Sequence, residues 1–410
     1  MARRSVVVTG AGAICALGDQ PSAIHDALCA GRYAFAPPTV FPADVAPGFQ
    51  VAEVPGFDPQ MYLKTGNVRP LDRTGRLALV GVELTLAASG WTPELRAARS
   101  VGLILGTMFC SVRTIGEFDR RAQQAGPEYA SPMDFSNTVL NAAAGQVAIW
   151  QKLRGINTTI SSGATSGAQA IGYAFQMIRS GRADALVAGG AEEICYESFH
   201  GSRQAGRLAA PNGSSAPRPF DVSRNGTAMG EGAAFITLEA EESAAQRGVR
   251  ALARVTGFGT AYDPTCKANP AAPPVADSSS PLAAAIGQAM NEAGVSVADL
   301  GCVISSASGS RELDAQEGAA IVAVVGARIP VTAIKSMTGE ALGTSGALQV
   351  LTALETMRTG KLPGIAGLTQ LDPSIGIDAS SQTRAVRARH TLVTAISPEG
   401  NCCALVLSMA

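Results

Sequence analysis

The sequence predicts an α/β protein built from two halves of similar layout, and three features support this prediction. Short apolar and β-branched runs, typical of buried strands, alternate with longer helical segments. Apolar residues make up 46% of the 410 positions and 45 are glycine, which suits a large core with many tight turns. The alternation occurs twice, so we expect one half at 1–245 and a second, related half at 246–410.

Composition narrows the possible functions. The net charge of −1 lacks the excess of Lys and Arg that is typical of nucleic-acid-binding proteins. The eight cysteines lack the paired spacings of a metal site or a disulfide framework, so a reducing cytoplasm is expected. We find no signal peptide and no run near the roughly 18 apolar residues of a membrane span. We therefore expect a cytoplasmic protein without nucleic-acid or membrane partners and without a bound metal.

The first half begins with a β-branched strand at Ser5–Thr9. The Gly-Ala-Gly after it is better explained as a strand-to-helix turn than as a dinucleotide loop, because the third glycine and the acidic partner are missing. We predict further helices near 21–31, 73–88, 138–153 and 165–180, and strands at 101–105, 158–161, 185–188 and 233–238. This strand–helix–strand order implies parallel pairing with both faces covered.

The second half follows the same scheme after a charged helical joint at 240–250. Its predicted elements are strands at 251–258, 301–305, 391–396 and 402–408, and helices at 281–294, 312–325 and 341–358. The two halves have little sequence similarity to each other, so the repeat is predicted from the order of their strands and helices.

One motif has the setting of a nucleophile without the nucleophile. Residues 159–173 form a β-rich run that turns sharply into a helix of small residues, with Ala164 at the turn. A side chain at a helix N-terminus would lie near free backbone N–H groups and the positive end of the helix dipole, which lower a thiol pKa and stabilise developing negative charge. Alanine has no group to ionise there.

Five ordered segments together resemble the β-ketoacyl-acyl carrier protein synthases of the thiolase superfamily. They are 6–17, 159–173, 218–239 (RPFDVSRNGTAMGEGAAFITLE), 305–321 and 335–346 (KSMTGEALGTSG). The resemblance covers nearly the whole chain. It implies a thiolase-like five-layer αβαβα fold built from two pseudo-repeated halves, and a dimeric assembly.

Active members of that family use a Cys-His-His triad, and the resemblance places all three positions on other residues here. The cysteine position falls on Ala164, the first histidine on Ser306 and the second on Glu340. The three histidines of the chain, at 25, 200 and 390, lie outside the matching blocks. We therefore expect no catalytic triad and no condensation by this chain alone, because a thioester needs a thiol and an anion opposes enolate formation.

Within the family, the run 309–317 is similar to the chain-length factors, or ketosynthase β subunits, of type II polyketide synthases. This implies a heterodimer with an active Cys-His-His ketosynthase, an acyl carrier protein as second partner, and no cofactor beyond the phosphopantetheine arm that carries the chain. Aromatic-polyketide members commonly have Gln at the position of Ala164, so aromatic and polyene or other reduced products both stay open.

The same resemblance predicts residues that line a tunnel at the dimer interface and limit the growing chain, with ordinary helix core as the alternative explanation. These residues are Met108, Phe109, Val112, Ile115, Phe118, Met133 and Asp134. The strand at 158–161 would pair with its counterpart in the partner subunit.

Charged residues near these motifs are expected to be structural. Lys335 matches the family lysine and is predicted to pair with Glu340 or Glu317, while Asp314 and Glu317 are predicted to be helix-entry charges or internal hydrogen-bond partners. The basic residues Lys64, Arg69, Arg73 and Arg76 are predicted to be a solvated face, with an acidic carrier protein as the alternative.

Three other functions stay open. The chain is alternatively a diverged thiolase-fold enzyme that uses Glu340 and Ser306 for another carrier-linked reaction, a decarboxylating starter subunit, or a homodimeric scaffold.

Overall fold

The computed structural model describes residues 3–63, 67–211, 216–264 and 280–410. In the first half, five strands follow the β-branched and apolar runs of the sequence. They are β1 (Val6–Cys15), β2 (Gly102–Gly106), β3 (Asn157–Ile160), β4 (Ala185–Glu192) and β5 (Gly232–Ala240). From the centre of the molecule outward their order is β1-β5-β4-β2-β3. The pairs β1·β5 and β5·β4 are antiparallel, and β4·β2 and β2·β3 are parallel.

The second half repeats this topology. Its strands are β6 (Ala253–Tyr262), β7 (Leu300–Ser305), β8 (Pro330–Ala333), β9 (Lys361–Leu362), β10 (Asp378–Ala379), β11 (Arg384–Ala385), β12 (His390–Ile396) and β13 (Asn401–Met409). Outward from the centre the order is β6-β13-β12-β7-β8-β10, with the same two antiparallel pairs followed by the same two parallel pairs. Two residue pairs between β1 and β6 join the halves. The strand order that the two halves share identifies the duplicated unit more clearly than their sequence similarity does.

Helices cover the sheets in layers. They are α1 (Pro21–Cys29), α2 (Arg73–Ala88), α3 (Pro93–Ala98), α4 (Val112–Ala125), α5 (Pro132–Phe135), α6 (Ala142–Gln151), α7 (Ser166–Arg179), α8 (Tyr196–Gln204), α9 (Glu241–Gln246), α10 (Pro281–Ala293), α11 (Arg311–Val325), α12 (Lys335–Thr338) and α13 (Ser345–Thr359). Helices α7 and α13 contact each other and strands of both halves. Helices α2 and α6 cover the first half from outside, and α10 and α11 cover the second.

This is the five-layer αβαβα arrangement that the resemblance implies. Three of the apolar clusters correspond to its interior spaces: one around α7 and α13, one between α2 and the first-half strands, and one between α10, α11 and the second-half strands. Burial of these apolar faces on both sides of the sheet supplies the main driving force for folding. Within the described residues, no helix combines the length and apolar character needed to cross a membrane.

The structure corrects two expectations. Parallel pairing holds for β2, β3 and β4, but β5 runs antiparallel to β4 and β1, so the sheet is mixed. The short strand β8 and the helices α4 and α8 were not predicted as elements. Their sequences are short or strongly polar, and contacts distant in the chain stabilise them.

Candidate functional site

The elbow is the turn between β3 and α7 that holds Ala164. Gly163 has a φ of +68°, which permits the sharp reversal. The hydroxyl of Ser166 accepts a hydrogen bond from the Ser162 N–H (2.9 Å) and donates to the Gly163 carbonyl (2.6 Å). The Thr165 hydroxyl donates to the Ser162 carbonyl at 2.7 Å. The turn therefore presents position 164 at the N-terminus of α7, where only a buried methyl group, 5% exposed, is found.

The small residues of α7 are explained by close packing. A Cβ at Gly167 would overlap the carbonyl oxygen of Gly343, and a Cβ at Gly346 would lie 2.7 Å from the Cβ of Ala168. Larger side chains would push α7 away from the turn before α13. The small-residue pattern thus positions the elbow against the second half of the molecule.

Ser306 lies directly after β7 and is bonded to Glu317 on α11. Its N–H and its hydroxyl both donate to Glu317 Oε1, at 2.8 and 3.0 Å, and the hydroxyl accepts from the Ile396 N–H at 3.1 Å. Thr394 donates to the same Oε1 at 2.6 Å. Burial raises the pKa of Glu317 to about 7, against the opposing effect of these hydrogen bonds and of Lys335.

Lys335 and Glu340 form an ion pair at the family-motif positions. The Nζ of Lys335 donates to Glu340 Oε2 at 2.6 Å, and Lys335 is 2% exposed. The other oxygen of Glu340 accepts from the Leu342 N–H (3.0 Å) and the Ser345 hydroxyl (2.7 Å). Both oxygens of Glu340 are therefore engaged, as expected for a structural role. Of the two predicted partners, Lys335 pairs with Glu340, and its effect on Glu317 is electrostatic.

The three motif positions border one region of the molecule. The end of β12 contacts two of them, because the Ile396 N–H bonds the Ser306 hydroxyl and the neighbouring Ser397 hydroxyl accepts from the Ala164 N–H. The third position, Glu340, is ion-paired with Lys335, and the charge of Lys335 also acts on Glu317, the carboxylate that binds Ser306. Ala164, Ser306 and Glu340 thus lie around one region of the fold, although they are far apart in the chain.

The three histidines of the chain are engaged elsewhere. His25 Nε2 lies 3.2 Å from the Lys361 carbonyl oxygen, and burial lowers its pKa. His200 stacks on Tyr196, with ring centroids 5.4 Å apart. The Nδ1 of His390 is 2.8 Å from the hydroxyl of a serine on β13. In the portion of the chain that the structure describes, no cluster of three or more His, Cys, Asp or Glu side chains is arranged for a metal ion.

Glu192, at the end of β4, organises the loop that begins the predicted tunnel. Its carboxylate accepts from the backbone N–H groups of Met108 (2.6 Å), Phe109 (3.0 Å), Cys110 (3.0 Å) and Gly343 (3.1 Å). Burial raises the pKa of Glu192 to about 7, while these donors act to lower it. The carboxylate thereby connects the loop before α4 to the turn before α13.

The predicted tunnel residues lie along α4 and its neighbours. Val112 and Phe118 are half-buried and Ile115 is 37% exposed, so none of the three is fully buried within this chain. Phe118 packs on Phe135, with ring centroids 6.0 Å apart. Met108 and Phe109 pack partly buried against an apolar cluster that includes an adjacent leucine at 342.

Met133 and Asp134 lie on α5 at the edge of a polar cleft of about 350 Å³. Met133 is 69% exposed, and Asp134 pairs with Arg121 at 2.9 Å. The opposite wall of the cleft includes Arg69 and Arg76. All five side chains therefore belong to one surface region between α2, α4 and α5.

The predicted basic face is only partly available for a partner. Arg73 forms a short bidentate contact with buried Glu231, which also accepts from the N–H groups of Val54 and Ile194. Arg69 is exposed at the cleft, and Lys64 lies outside the described residues. The prediction of a solvated residue is therefore wrong for Arg73, which is a structural partner of Glu231.

The comparison with known families decides the relationship. Residues 3–244 match the family model described as β-ketoacyl synthase, N-terminal domain. Residues 252–369 match that of the C-terminal domain. The chain belongs to the β-ketoacyl synthase family. The resemblance and the thiolase-like fold inferred from the five segments are therefore confirmed.

Relatives in this family cover almost the whole chain. The 3-oxoacyl-acyl-carrier-protein synthase 2 of Vibrio cholerae is 29% identical over 385 residues, which is 92% of each chain. The oxytetracycline polyketide putative β-ketoacyl synthase 1 of Streptomyces rimosus is 31% identical over 399 residues, covering 92% of this chain and 90% of that protein. A solved structure described as the ishigamide ketosynthase/chain length factor has a TM-score of 0.92 and 28% identity, with both chains fully covered.

Sequence reasoning missed residues that bring the site together. Glu192 and Ser397 are buried polar groups whose partners are distant in the chain, so spacing alone did not indicate them. Asp314 was predicted to be an internal hydrogen-bond partner, and it accepts from the N–H groups of Phe220 (3.0 Å) and Ser308 (2.9 Å). The one signal in the sequence near Ser397 is the turn-forming run Ser-Pro-Glu-Gly-Asn at 397–401, which indicates a turn but no contact with Ala164.

Proposed function

We propose that this chain is a non-catalytic ketosynthase-like subunit, a chain-length factor, that pairs with an active ketosynthase in type II polyketide or polyene biosynthesis. The observation that carries the proposal is the elbow at Ala164, which has the geometry of a nucleophile site and no nucleophilic atom. The two histidine positions support it, because Ser306 and Glu340 are both held in internal hydrogen bonds.

The chemistry of condensation supports the same assignment. A ketosynthase must hold the acyl chain as a thioester and stabilise an enolate formed by decarboxylation. The methyl group of Ala164 accepts no acyl chain, and the Lys335–Glu340 pair offers no neutral donor to an enolate. In the proposed complex these steps belong to a partner with a Cys-His-His triad, and the substrate arrives on the phosphopantetheine arm of an acyl carrier protein.

A large exposed apolar face supports a partner subunit. We call this the α5–α6 face, and it consists of Tyr129, Met133, Phe135, Val139, Leu140 and Ile149, which are 47–78% exposed. Helix α6, which carries Ile149, contacts β3, the last strand of the sheet among the described residues. Exposed apolar surface beside an open strand edge favours burial against another chain. The ketosynthase/chain length factor similar to this chain is consistent with such a partner.

Chain length would be set by the volume that the α4 side chains leave open. Phe118 packs on Phe135, which belongs to the α5–α6 face, so the interface with the ketosynthase would pass next to Phe118. Each added two-carbon unit must find free volume or displace packed side chains, which is unfavourable. Bulky residues at Phe109, Val112 and Phe118 would therefore shorten the product.

Native mass spectrometry of the chain co-expressed with a Cys-His-His ketosynthase tests the proposal. We expect a one-to-one complex, with the chain monomeric or insoluble by itself. A charge on the α5–α6 face, as in Ile149→Asp, should abolish the complex, because Ile149 is 78% exposed and would be buried in it. Leu252→Asp is the matched control, since Leu252 is 54% exposed outside this face. A stable homodimer that does not bind ketosynthases would refute the proposal.

The enzymatic alternative has one observation in its favour. Ser306 donates its hydroxyl to Glu317, a buried carboxylate whose pKa is raised to about 7, which resembles a nucleophile with a base. Glu340 fits the alternative less well, because both of its oxygens are bound. Turnover of acyl-carrier substrates by the chain alone, lost in Ser306→Ala, would support this alternative, and loss in Glu340→Ala would bring Glu340 into it as well. Absence of turnover would count against it.

A further inference from the structure

The turn between β12 and β13 lies against the elbow. The turn is tight, because the Ser397 N–H donates to the Asn401 carbonyl at 2.9 Å and the Gly400 N–H donates to the Ser397 carbonyl at 2.9 Å. Gly400 has a φ of +93°, which allows the chain to reverse. Ser397 is thereby fixed in a buried position facing the N-terminus of α7.

A chain of polar contacts runs from this turn into the elbow. The hydroxyl of Ser397 accepts the hydrogen bond of the Ala164 N–H at 3.1 Å and donates to Glu399 Oε2. The other oxygen of Glu399 pairs with Arg207 at 2.9 Å. A Cβ at Gly163 would overlap the Ser397 hydroxyl and lie 2.6 Å from Glu399 Oε2. The Ala164 N–H is thus already bonded to Ser397, and the side chains of Ser397 and Glu399 fill the space beside Gly163.

We propose that Ser397 and Glu399 close the elbow of this subunit to an acyl thioester, so that a carrier-bound chain enters only the partner's site. The inference deepens the proposed function and rests on it for the existence of a partner. It predicts that this subunit would exclude the substrate even if a thiol were restored at Ala164. Two independent effects contribute to the exclusion.

The first effect is the loss of a free donor. A backbone N–H stabilises an oxyanion only if it is aimed at the developing charge, and the Ala164 N–H already donates to Ser397. The second effect is electrostatic. The Glu399 carboxylate lies against the backbone of Gly163, one residue before Ala164, and a nearby negative charge disfavours a thiolate and so raises a thiol pKa. Arg207 pairs with the far oxygen of Glu399 and offsets part of this effect, whereas Oε2 faces Gly163. A thiol placed here would therefore be weakly nucleophilic.

A thiol-reactivity experiment tests the inference without using ketosynthase activity. Ala164→Cys is made with the native turn and with the double substitution Ser397→Ala, Glu399→Gln. Each protein, alone or in its one-to-one complex, is treated with iodoacetamide across pH 6–10. The thiolate attacks the methylene carbon and iodide leaves. Modification at position 164 is followed in its own peptide by mass spectrometry, since the chain has eight native cysteines.

We expect the thiol at position 164 to react about tenfold faster near pH 7.5 in the altered turn, because one pKa unit changes the thiolate fraction tenfold. The profile midpoint should move to lower pH by the same step. Asp184→Asn, which removes an exposed carboxylate paired with Arg4, is the control and should leave the profile unchanged. Equal rates and midpoints in native and altered turns would overturn the inference.

A second measurement covers the case in which the cysteine variant does not fold. With Ala164 retained, hydrogen exchange of the Ala164 amide should be faster in Ser397→Ala than in the unaltered chain, since its acceptor is lost. Unchanged exchange would contradict the contact. Neither readout requires that a heterodimer form, so a failure here is distinguishable from a failure of the proposed subunit role.

Discussion

Replacing Glu317 by glutamine should remove a specific pH dependence of stability. The substitution keeps the shape and the acceptor at Oε1, which binds Ser306 and Thr394, and removes only the titrating group. Burial raises the pKa of Glu317 to about 7, whereas an unfolded glutamate has a pKa of about 4.3. At pH values between these two pKa values, Glu317 is therefore protonated in the folded state and ionised in the unfolded state.

The sign follows from the raised pKa. The stabilisation is complete below about pH 4 and is lost as the pH rises through about 7, because ionisation then places a charge in the core. A separation of somewhat under 3 pKa units corresponds to about 4 kcal/mol in total, since one unit is worth about 1.4 kcal/mol. About 2 to 3 kcal/mol of this should be lost between pH 5 and pH 8 in the unaltered chain, and it should be absent in Glu317→Gln.

Equilibrium urea unfolding at several pH values measures this difference, with the fluorescence of Trp91 and Trp150 as the signal. Urea is uncharged, so it leaves electrostatic effects unscreened. Glu312→Gln, which removes a carboxylate from the same helix outside the buried group, is the control. Subtracting the unfolding free energy of Glu317→Gln from that of the unaltered chain at each pH cancels the contributions of the other buried carboxylates, which both proteins share. A difference between Glu317→Gln and the unaltered chain that stays constant from pH 5 to pH 8 would refute the reasoning.

Two further predictions concern stability and chain length. Arg73→Ala should destabilise the chain by about 3 to 5 kcal/mol in urea unfolding, because it leaves the buried Glu231 carboxylate without its cation, and Arg73→Lys should recover only part of the loss. A cost under about 1 kcal/mol would contradict the pairing. In the reconstituted heterodimer, Phe118→Ala should shift products, measured by mass spectrometry, to chains longer by at least one two-carbon unit, because it opens space beside Phe135. Unchanged or shorter products would argue against Phe118 as a tunnel wall.

Local patterns predicted much of the architecture. The apolar spacing from 73 to 88 gave α2 with the bounds that the structure has, and the small-residue run after Ala164 gave the elbow and α7. These features depend on neighbours along the chain: a helical period, a glycine at a turn and a β-branched run. The family followed from the order of five short segments, and the two family models that match residues 3–244 and 252–369 confirm it.

Contacts between distant residues were beyond local patterns. Arg73 was predicted to be a solvated charge, but it pairs with Glu231, which is 158 residues away. Ser397 and Ala164 are 233 residues apart, and only the tertiary fold, which places the turn between β12 and β13 at the N-terminus of α7, brings them together. Glu192 likewise gathers N–H groups from two separate turns. Such partners depend on tertiary geometry, which spacing along a sequence does not encode.

The buried charges around Lys335 are physically coupled. Glu340 takes the ammonium group of Lys335, which leaves Glu317 with hydrogen-bond donors on one oxygen and no hydrogen-bond partner on the other. Its raised pKa is a consequence of burial without that direct cation. In Glu340→His, Lys335 would lose its carboxylate partner and lie unpaired near Glu317, and in Ala164→Cys the new thiol would lie next to the Ser397 hydroxyl. Each single substitution therefore meets neighbours that are already hydrogen-bonded or ion-paired, so the chemistry of one position depends on the groups packed around it.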